Sequence, residues 1–521
     1  MNDRWYDVSV DRPDLSLRDL QSSGEVKHPD RKSSDDSILP CSMTMSSSHT
    51  LYASVHDVRS CPITVQAPFA RRKPSSTRCC QVHSTSSASG WRATSKPIAN
   101  GNYPAKENCS NCGLCDTYFV HHVKEACAFI APGEDMAELE RATHGRSRDL
   151  DDDDELVFGV TSSLLNAKIV PSVPGAQWTG IVSSIACTML SEGHVDAVVC
   201  VQSDPDDRFT PRPFVARSVE DIMAARGVKP VLSPNLEVLA TVEAMDVKKL
   251  LFIGVGCQVR AIRAVQPYLN IEKLYVLGTN CTDNGTRSGL DKFLRLAPSA
   301  PADDIVGYEF MQDYRVHFKL RDGSYEKVPY FSLPANDLTD VIAPSCMSCF
   351  LYPNDLADIV VGYMGAPYDD TTSMDKHAQS IIVRNERGMF MLDALKQSHR
   401  VDIAPPVSRP GLLTRAGLVL QTVYADDAAK RGEGPDGNPP RFVAELIAWL
   451  LTKLGPQGLE FAKYSIEYHY LRNMIHVKRH WGHDKASRHV PEYATRVAAR
   501  YNGVVEELAA QPADSWWEER K

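Results

Sequence analysis

Four cysteines lie close together in residues 107–130, which read ENCSNCGLCDTYFVHHVKEACAFI. Cys109, Cys112 and Cys115 have CxxCxxC spacing, and Cys127 follows at the end of a short predicted helix. Such a turn brings three thiolates to one concave site, as in ferredoxins, where they hold three corners of a [4Fe-4S] cluster. Zinc is the competing metal, but four-thiolate zinc sites usually combine two separated CxxC pairs. The segment therefore predicts an iron–sulfur site with Cys127 as its fourth ligand.

A second set of four cysteines is spread more widely along the chain. Cys257 follows the apolar run LLFIGVG, Cys281 follows LYVLGTN, and Cys346 and Cys349 form a CxxC pair. If both runs are parallel strands, the first two cysteines leave the sheet at the same carboxyl edge, where ligand crevices form. Taken singly, Cys257 and Cys281 could be buried small side chains, which is the commoner role of a lone cysteine. The CxxC pair would complete a second group of four thiolates.

The composition limits the classes of protein to consider. The chain has 521 residues, 14 cysteines and a net charge of -9. This charge provides no general basic surface for nucleic acid. The apolar runs are short or interrupted by Glu445 and Lys453, so no transmembrane segment is predicted. Cysteines in tight groups within so long a chain favour metal binding in a reducing compartment over a disulfide scaffold.

Residues 1–100 have the composition of a leader rather than of a folded domain. Residues 41–100 are rich in Ser, Thr and Arg and contain a single acidic residue, Asp57. This is typical of a plastid or mitochondrial transit peptide, and an ordinary disordered tail is the alternative. Residues 1–40 are more acidic, so we expect translation to begin at Met43 or Met45.

The elements that must position the cysteines follow from the pattern of apolar residues. VDAVVCVQS, KLLFIGVG and EKLYVLGTN alternate with helical patterns such as CQVRAIRAVQPYL. Strand, helix and strand at this spacing predict an α/β fold with a central, mostly parallel sheet that is covered on both faces. From about residue 438, long amphipathic patterns such as GLEFAKYSIEYHYLRNMIHVKRHWG predict helices.

We therefore expect four regions. They are a disordered leader including a transit peptide (1–100), a small ferredoxin-like iron–sulfur module with the acidic linker RDLDDDDEL (101–155), an α/β domain (156–435) and a helical C-terminal region (436–521). The acidic linker is expected to be a solvated loop.

Two phosphate-binding motifs are excluded. In GVGCQV, Val259 stands where a dinucleotide fingerprint has its third glycine. In GAQWTGIV, Ile181 and Val182 replace the Lys and the Ser or Thr of a P-loop. The sequence predicts neither a nicotinamide nor an ATP site.

Several segments together resemble the beta-subunit family of coenzyme F420 hydrogenases and dehydrogenases. They are CSNCGLC, GAQWTGIVSSIACTML, GVGCQVRAIR and CMSCFLYPNDLADIVVGYMG. The resemblance extends from about residue 105 to the C-terminus and is closest to a chlorophyll-reducing branch of plants and algae. The family's usual double-glycine turn is replaced here by QWTG.

The resemblance implies FAD and two [4Fe-4S] clusters as cofactors. It implies ligands to one cluster at Cys109, Cys112, Cys115 and Cys127, and ligands to the other at Cys257, Cys281, Cys346 and Cys349. It also implies a flavin lying against Lys168, Gln177, Trp178, Thr179 and Gly180. Core packing is an equal interpretation for the tryptophan.

The activity implied by the resemblance is reduction of the 7-hydroxymethyl group of a chlorophyll to a methyl group. Electrons would pass from reduced ferredoxin through the two clusters and FAD to the pigment. The alternatives are reduction of the 8-vinyl group of divinyl chlorophyllides, which uses the same cofactors, and a non-catalytic electron-transfer subunit of a larger complex. We expect a chloroplast location, in the stroma or at the thylakoid surface, and a homo-oligomer. No proton donor is assigned, because the expected place of His121 and His122 is a solvated helix face.

Overall fold

The structure is a computed structural model that describes residues 109–130, 135–434 and 439–512. The leader predicted for residues 1–100 lies outside the described residues. The strands are β1 Ser163–Ile169, β2 Ala197–Ser203, β3 Pro211–Ala216, β4 Lys249–Gly254, β5 Lys273–Thr279, β6 Ile305–Phe310, β7 Arg315–Leu320, β8 Tyr325–Pro329, β9 Ile359–Gly362, β10 Gln379–Val383, β11 Val401–Ala404, β12 Ser408–Arg409 and β13 Gln457–Gly458.

Helices surround these strands and make up most of the C-terminal region. They are α1 Val120–Glu125, α2 Met136–His144, α3 Asp153–Phe158, α4 Ile181–Ser191, α5 Val219–Ala224, α6 Leu239–Ala244, α7 Gly256–Val265, α8 Arg287–Leu296, α9 Ala335–Leu338, α10 Glu386–Ser398, α11 Arg415–Lys430, α12 Arg441–Leu454, α13 Leu459–Trp481, α14 His483–His489, α15 Glu492–Ala499 and α16 Val504–Ala509. Within the part of the chain that the structure describes, none of them has both the length and the apolar character needed to span a bilayer.

The main sheet has eight strands in the order β11-β1-β10-β9-β5-β4-β2-β3. The predicted α/β class is confirmed, but the prediction of a mostly parallel sheet is wrong. Only the pairs β2–β4, β4–β5 and β5–β9 are parallel, and the other neighbouring strands are antiparallel. The three runs that suggested parallel pairing are β2, β4 and β5, which are neighbours in the sheet. Strand β3 follows β2 after residues 204–210 only, which is too short for the crossover that a parallel pair needs.

Both faces of the sheet are covered, because alternate residues of a strand point to opposite sides. In β4, Leu250 and Phe252 belong to the core that includes α7 and α13, whereas Leu251 belongs to the core that includes α4 and α10. All three side chains are fully buried. Burying one such side chain contributes roughly 1.5–3 kcal/mol, so this double covering stabilises the sheet at β4.

The acidic segment RDLDDDDEL is not the solvated loop that was expected. Asp152 caps α3, and Asp153 in the first turn pairs with Lys463, with Arg500 at 2.6 Å and with Arg415 at 3.4 Å. Carboxylates in the first turn of a helix are stabilised by the partial positive charge of its N-terminus. These cations lie in or beside the C-terminal helices, so the segment joins α3 to that region.

Helix α13 organises the C-terminal region. It packs against α11, α15 and α16, and also against the single helical turn Cys346–Ser348. The longest helix of the described residues therefore touches the loop that carries the CxxC pair.

Candidate functional site

The first set of cysteines surrounds one pocket. Cys109, Cys112 and Cys115 lie in the turn before α1, and Cys127 lies just after that helix ends. All four line the same pocket, and Cys257 from the second set lines it too. Helix α1 packs on α7, which carries Cys257 near its N-terminus. The fold thus brings together the four residues predicted to hold the first cluster.

Backbone N–H groups are directed at these thiols. The N–H of Asn111 donates to Cys109 Sγ over 3.4 Å. Burial raises the pKa of Cys112 to about 12, and a hydrogen bond from the backbone of Leu114 partly opposes this rise. Burial likewise raises the pKa of Cys127. A metal centre bound in the pocket would favour the thiolate form over the thiol, because a coordinating thiol loses its proton.

The second set collects at the carboxyl edge of the sheet. Strands β4 and β5 are parallel, with Gly254 opposite Gly278, so Cys257 and Cys281 follow neighbouring strands at the same edge. Burial raises the pKa of Cys257 well above its usual range, and the thiols of Cys349, Cys112, Cys281 and Cys346 raise it further. Cys257 therefore lies within electrostatic reach of both sets.

The C-terminal helix α13 positions this second set. Arg472 forms two hydrogen bonds of 2.8 Å with Asp283, two residues after Cys281. Asn473 donates to the carbonyl oxygens of Cys346 and Cys349 over 3.2 and 2.6 Å. Sequence reasoning missed Asp283, Arg472 and Asn473. The only signal for the two helix residues was a polar pair inside the buried pattern YLRNMI.

A backbone contact joins the two sets. The N–H of Ser345, next to the CxxC pair, donates to Ser110 Oγ over 2.8 Å. Gly256 begins α7 where a Cβ atom would lie 2.3 Å from the carbonyl oxygen of Leu351, so only glycine allows the helix this close to the CxxC loop.

The donor set fits a [4Fe-4S] cluster in chemical type and number, since such clusters take four thiolates and accept hydrogen bonds at sulfur. Among residues 109–130, 135–434 and 439–512, no group of three or more His, Cys, Asp or Glu side chains has an arrangement that could hold a metal ion. That finding concerns sites for a single metal ion, whereas in a [4Fe-4S] cluster each thiolate binds a different iron atom. The ligand assignment stays a prediction that metal analysis tests.

The QWTG turn connects the end of β1 to the start of α4. The N–H of Ile169 donates to Thr179 Oγ1 over 3.3 Å, and the N–H of Val173 donates to the Thr179 carbonyl over 2.9 Å. Gly180 has φ +98°, in the left-handed region that favours glycine. Lys168, in β1, is exposed. The turn and the lysine are thus on adjoining segments, and their role toward a flavin stays a prediction.

Trp178 packs in an aromatic cluster. Its ring stacks on Tyr363 with centroids 4.7 Å apart and lies edge-on to His377 at 6.2 Å. Burial lowers the pKa of His377, and the charge of Lys168 contributes to the same shift, so this lysine lies within electrostatic reach of the cluster. Contacts within the chain account for the burial of the tryptophan, and its role toward a flavin stays a prediction.

A carboxyl group that sequence reasoning missed lies beside the QWTG turn. Gln177 Nε2 donates to Glu309 Oε2 over 3.2 Å and to the carbonyl of Tyr308 over 3.0 Å. Burial raises the pKa of Glu309 to about 7, although the hydrogen bond from Gln177 opposes the rise. Burial also raises the pKa of Cys281 and of Tyr352, and the charge of Glu309 contributes to both shifts. Glu309 thus lies between the turn predicted to bind flavin and the second cysteine set.

We expect the substitution Gly180→Ala to lower the free energy of unfolding by about 2–4 kcal/mol, because strain and a clash add together. A Cβ atom at this position would lie 2.5 Å from Val173 Cβ. Gly193 is the matched control, since its φ is +73° and a Cβ atom there would meet nothing within 4 Å. Gly193→Ala should cost only about 1 kcal/mol. Denaturant unfolding followed by circular dichroism measures both, and equal losses would show that the turn can move to accept a side chain.

Comparison with known proteins gives two family matches, both to the beta subunit of coenzyme F420 hydrogenase/dehydrogenase. The profile for the N-terminal part of that protein matches residues 165–240, and the profile for its C terminus matches residues 247–409. The QWTG turn lies in the first match and the second cysteine set in the other. The CxxCxxC triplet lies before both matches.

The chain is also similar to individual proteins. It is 56% identical over 414 residues to 7-hydroxymethyl chlorophyll a reductase, chloroplastic, of Oryza sativa subsp. japonica, covering 79% of this chain and 86% of that protein. It is 51% identical over 402 residues to an uncharacterised protein of Nostoc sp., covering 77% and 95%. A chain of the F420-reducing [NiFe] hydrogenase complex from Methanosarcina barkeri aligns with a TM-score of 0.45 and 18% identity, covering 62% of this chain and 94% of that chain.

Proposed function

The chain belongs to the coenzyme F420 hydrogenase/dehydrogenase beta-subunit family and is an oxidoreductase, and from this premise we propose that it reduces 7-hydroxymethyl chlorophyll a to chlorophyll a. The predicted family membership is confirmed. The identity with the rice reductase over most of both chains is the observation that supports this substrate. The same relative supports a chloroplast location, and reduced ferredoxin is the donor that we propose.

The proposed reaction converts a hydroxymethyl carbon to a methyl carbon. One C–O bond breaks, one C–H bond forms, and the oxygen leaves as water, so each turnover consumes two electrons and two protons. When bound, iron–sulfur clusters would supply single-electron transfer, and FAD the change between one-electron and two-electron chemistry. The residues that would hold these groups are the two cysteine sets and the QWTG turn with Lys168.

We assign the docking of ferredoxin to the turn of the first cysteine set. This turn is at the surface of the described part of the chain, with Asn111 exposed and Tyr118 75% exposed. The second set is braced by α13 and lies beside Glu309. The first set is therefore the one that a protein donor can approach.

We assign one of the two protons to the carboxyl group of Glu309. A carboxyl with a pKa of about 7 is protonated in about half of the molecules at neutral pH. Gln177 holds one carboxylate oxygen and so orients the group beside the QWTG turn. A positioned acid with a pKa near the working pH is the kind of group that proton transfer requires.

Two measurements on the purified protein test this proposal. Anaerobic analysis is expected to find about eight iron atoms and one FAD per chain, because each cluster holds four irons. With reduced ferredoxin, 7-hydroxymethyl chlorophyll a should be consumed and divinyl chlorophyllide should not. Preference for the divinyl pigment would establish the 8-vinyl reaction instead, and turnover only with a co-purified partner would establish an electron-transfer role within a larger complex. Stoichiometric zinc would contradict the cluster assignment.

A further inference from the structure

Helix α12 exposes large apolar side chains to the outside of the protein. Phe442 is 74% exposed, Leu446 55%, Trp449 53% and Leu450 38%. Successive members of this set are four, three and one residues apart, and this spacing places them on one side of the helix. The opposite side is buried through Ala444 and Ala448. This is the reverse of an ordinary surface helix, which turns its large apolar residues inward.

A neighbouring loop extends the apolar surface. Leu412 is 84% exposed and Leu413 is 37% exposed. The N–H of Leu413 donates to the carbonyl of Leu454 over 3.1 Å, so the loop lies beside the C-terminal end of α12. We call the four exposed apolar residues of the helix and these two leucines the α12 face.

Cations flank the α12 face at the two ends of the helix. Arg441 and Lys453 are exposed at the two ends of the helix. Glu445, the acidic residue of α12, borders the exposed apolar stripe, and its charge is offset by Arg315 at 2.8 Å. Lys453 has an acidic neighbour, Asp370, at 3.6 Å. An apolar stripe with cations at its two ends is complementary to a partner that has an apolar interior and a negatively charged outer layer.

We propose that the α12 face binds the surface of a lipid bilayer that contains anionic lipids. Helices with aromatic and Leu residues on one face and cations beside it lie in the plane of the interface and bury the apolar face at the boundary of headgroups and acyl chains. Phe442, Leu446 and Trp449 would enter that boundary, while Arg441 and Lys453 meet the phosphates. This proposal does not depend on which substrate the protein reduces.

A second copy of the chain is a poorer occupant of the same face. A twofold contact along α12 would place the two helices antiparallel, because such a contact uses the same surface on both copies. Arg441 of each copy would then lie near Lys453 of the other, and like charges in contact repel. A bilayer with anionic headgroups attracts the same two residues.

Vesicle binding by the purified full chain tests the proposal. We expect the protein to float with vesicles of phosphatidylcholine and phosphatidylglycerol, and to bind them less at high salt. The double variant Phe442→Ser, Leu446→Ser should partition at least about tenfold less, because two large apolar contacts are lost. Leu296→Ser is the matched control, since Leu296 is 43% exposed on α8, and it should bind within about twofold of the wild type.

Three results would overturn the proposal. The first is no binding of the wild type to these vesicles. The second is a double variant that binds as well as the wild type. The third is a pair of results: the wild type self-associates in sedimentation equilibrium, whereas the double variant is monomeric and binds vesicles as before. Together these results would show that the α12 face is a contact between copies. Circular dichroism melting of each variant separates these outcomes from a loss of folding.

Discussion

Replacing Cys349 by serine is expected to remove about four of the eight irons, to weaken the retention of FAD and to lower turnover at least about 100-fold. Asn473 of α13 holds the carbonyl of Cys349 in place, so the loop is tied to the C-terminal helix. Cys281, in the same set, lies near Glu309, which bonds to Gln177 of the QWTG turn. Metal binding contributes folding energy, and losing this ligand should therefore loosen the turn as well.

The variant Cys112→Ser should behave differently. It is expected to lose iron but keep FAD, because Cys112 lies in the turn before α1 rather than at the sheet edge. Chemically reduced flavin should still support turnover in this variant, whereas reduced ferredoxin should not. Full ferredoxin-dependent activity would show that the first set is not where ferredoxin delivers electrons.

Cys187→Ser serves as the control for both cysteine variants. Cys187 is half-buried in α4 and packs at the core on the other face of the sheet. This variant should keep all its iron and FAD. Iron, acid-labile sulfide and flavin are measured anaerobically on all three proteins, and equal iron loss from Cys187→Ser would contradict the division into two sets.

Replacing Glu309 by glutamine is expected to lower turnover about 100-fold and to remove a pH dependence centred near 7. The wild-type rate should fall as pH rises through about 7, because the carboxyl group then loses the proton that we propose it donates. Glutamine has nearly the same shape and can still accept the hydrogen bond from Gln177, so FAD content should be unchanged.

Stability measurements give an independent check on Glu309. Its pKa is higher in the folded protein than the usual value of 4.5, so the folded state binds more protons than the unfolded state between about pH 4.5 and 7. The free energy of unfolding should therefore fall as pH rises through this range, and the glutamine variant should lack this contribution. A variant with the wild-type pH profile of both turnover and stability would rule out Glu309 as the proton source.

The sequence by itself determined what depends on neighbours along the chain. The CxxCxxC spacing places three thiols in one turn, and the runs before Cys257 and Cys281 form adjacent parallel strands, so these two cysteines follow neighbouring strands at one edge. The α/β class and the family also followed from ordered local patterns. Each of these features depends on residues within one turn or one strand–helix–strand unit, where spacing and periodicity are informative.

Only the tertiary structure decided which distant residues support the site. Arg472 reaches Asp283 across 189 positions, and Gln177 reaches Glu309 across 132, and neither spacing corresponds to any local period. The antiparallel outer strands and the pairing of Asp153 with Lys463 were hidden for the same reason. Such contacts form because a charged or polar group that is buried loses its hydrogen bonds to water. The group then bonds to whichever partner the fold places near it.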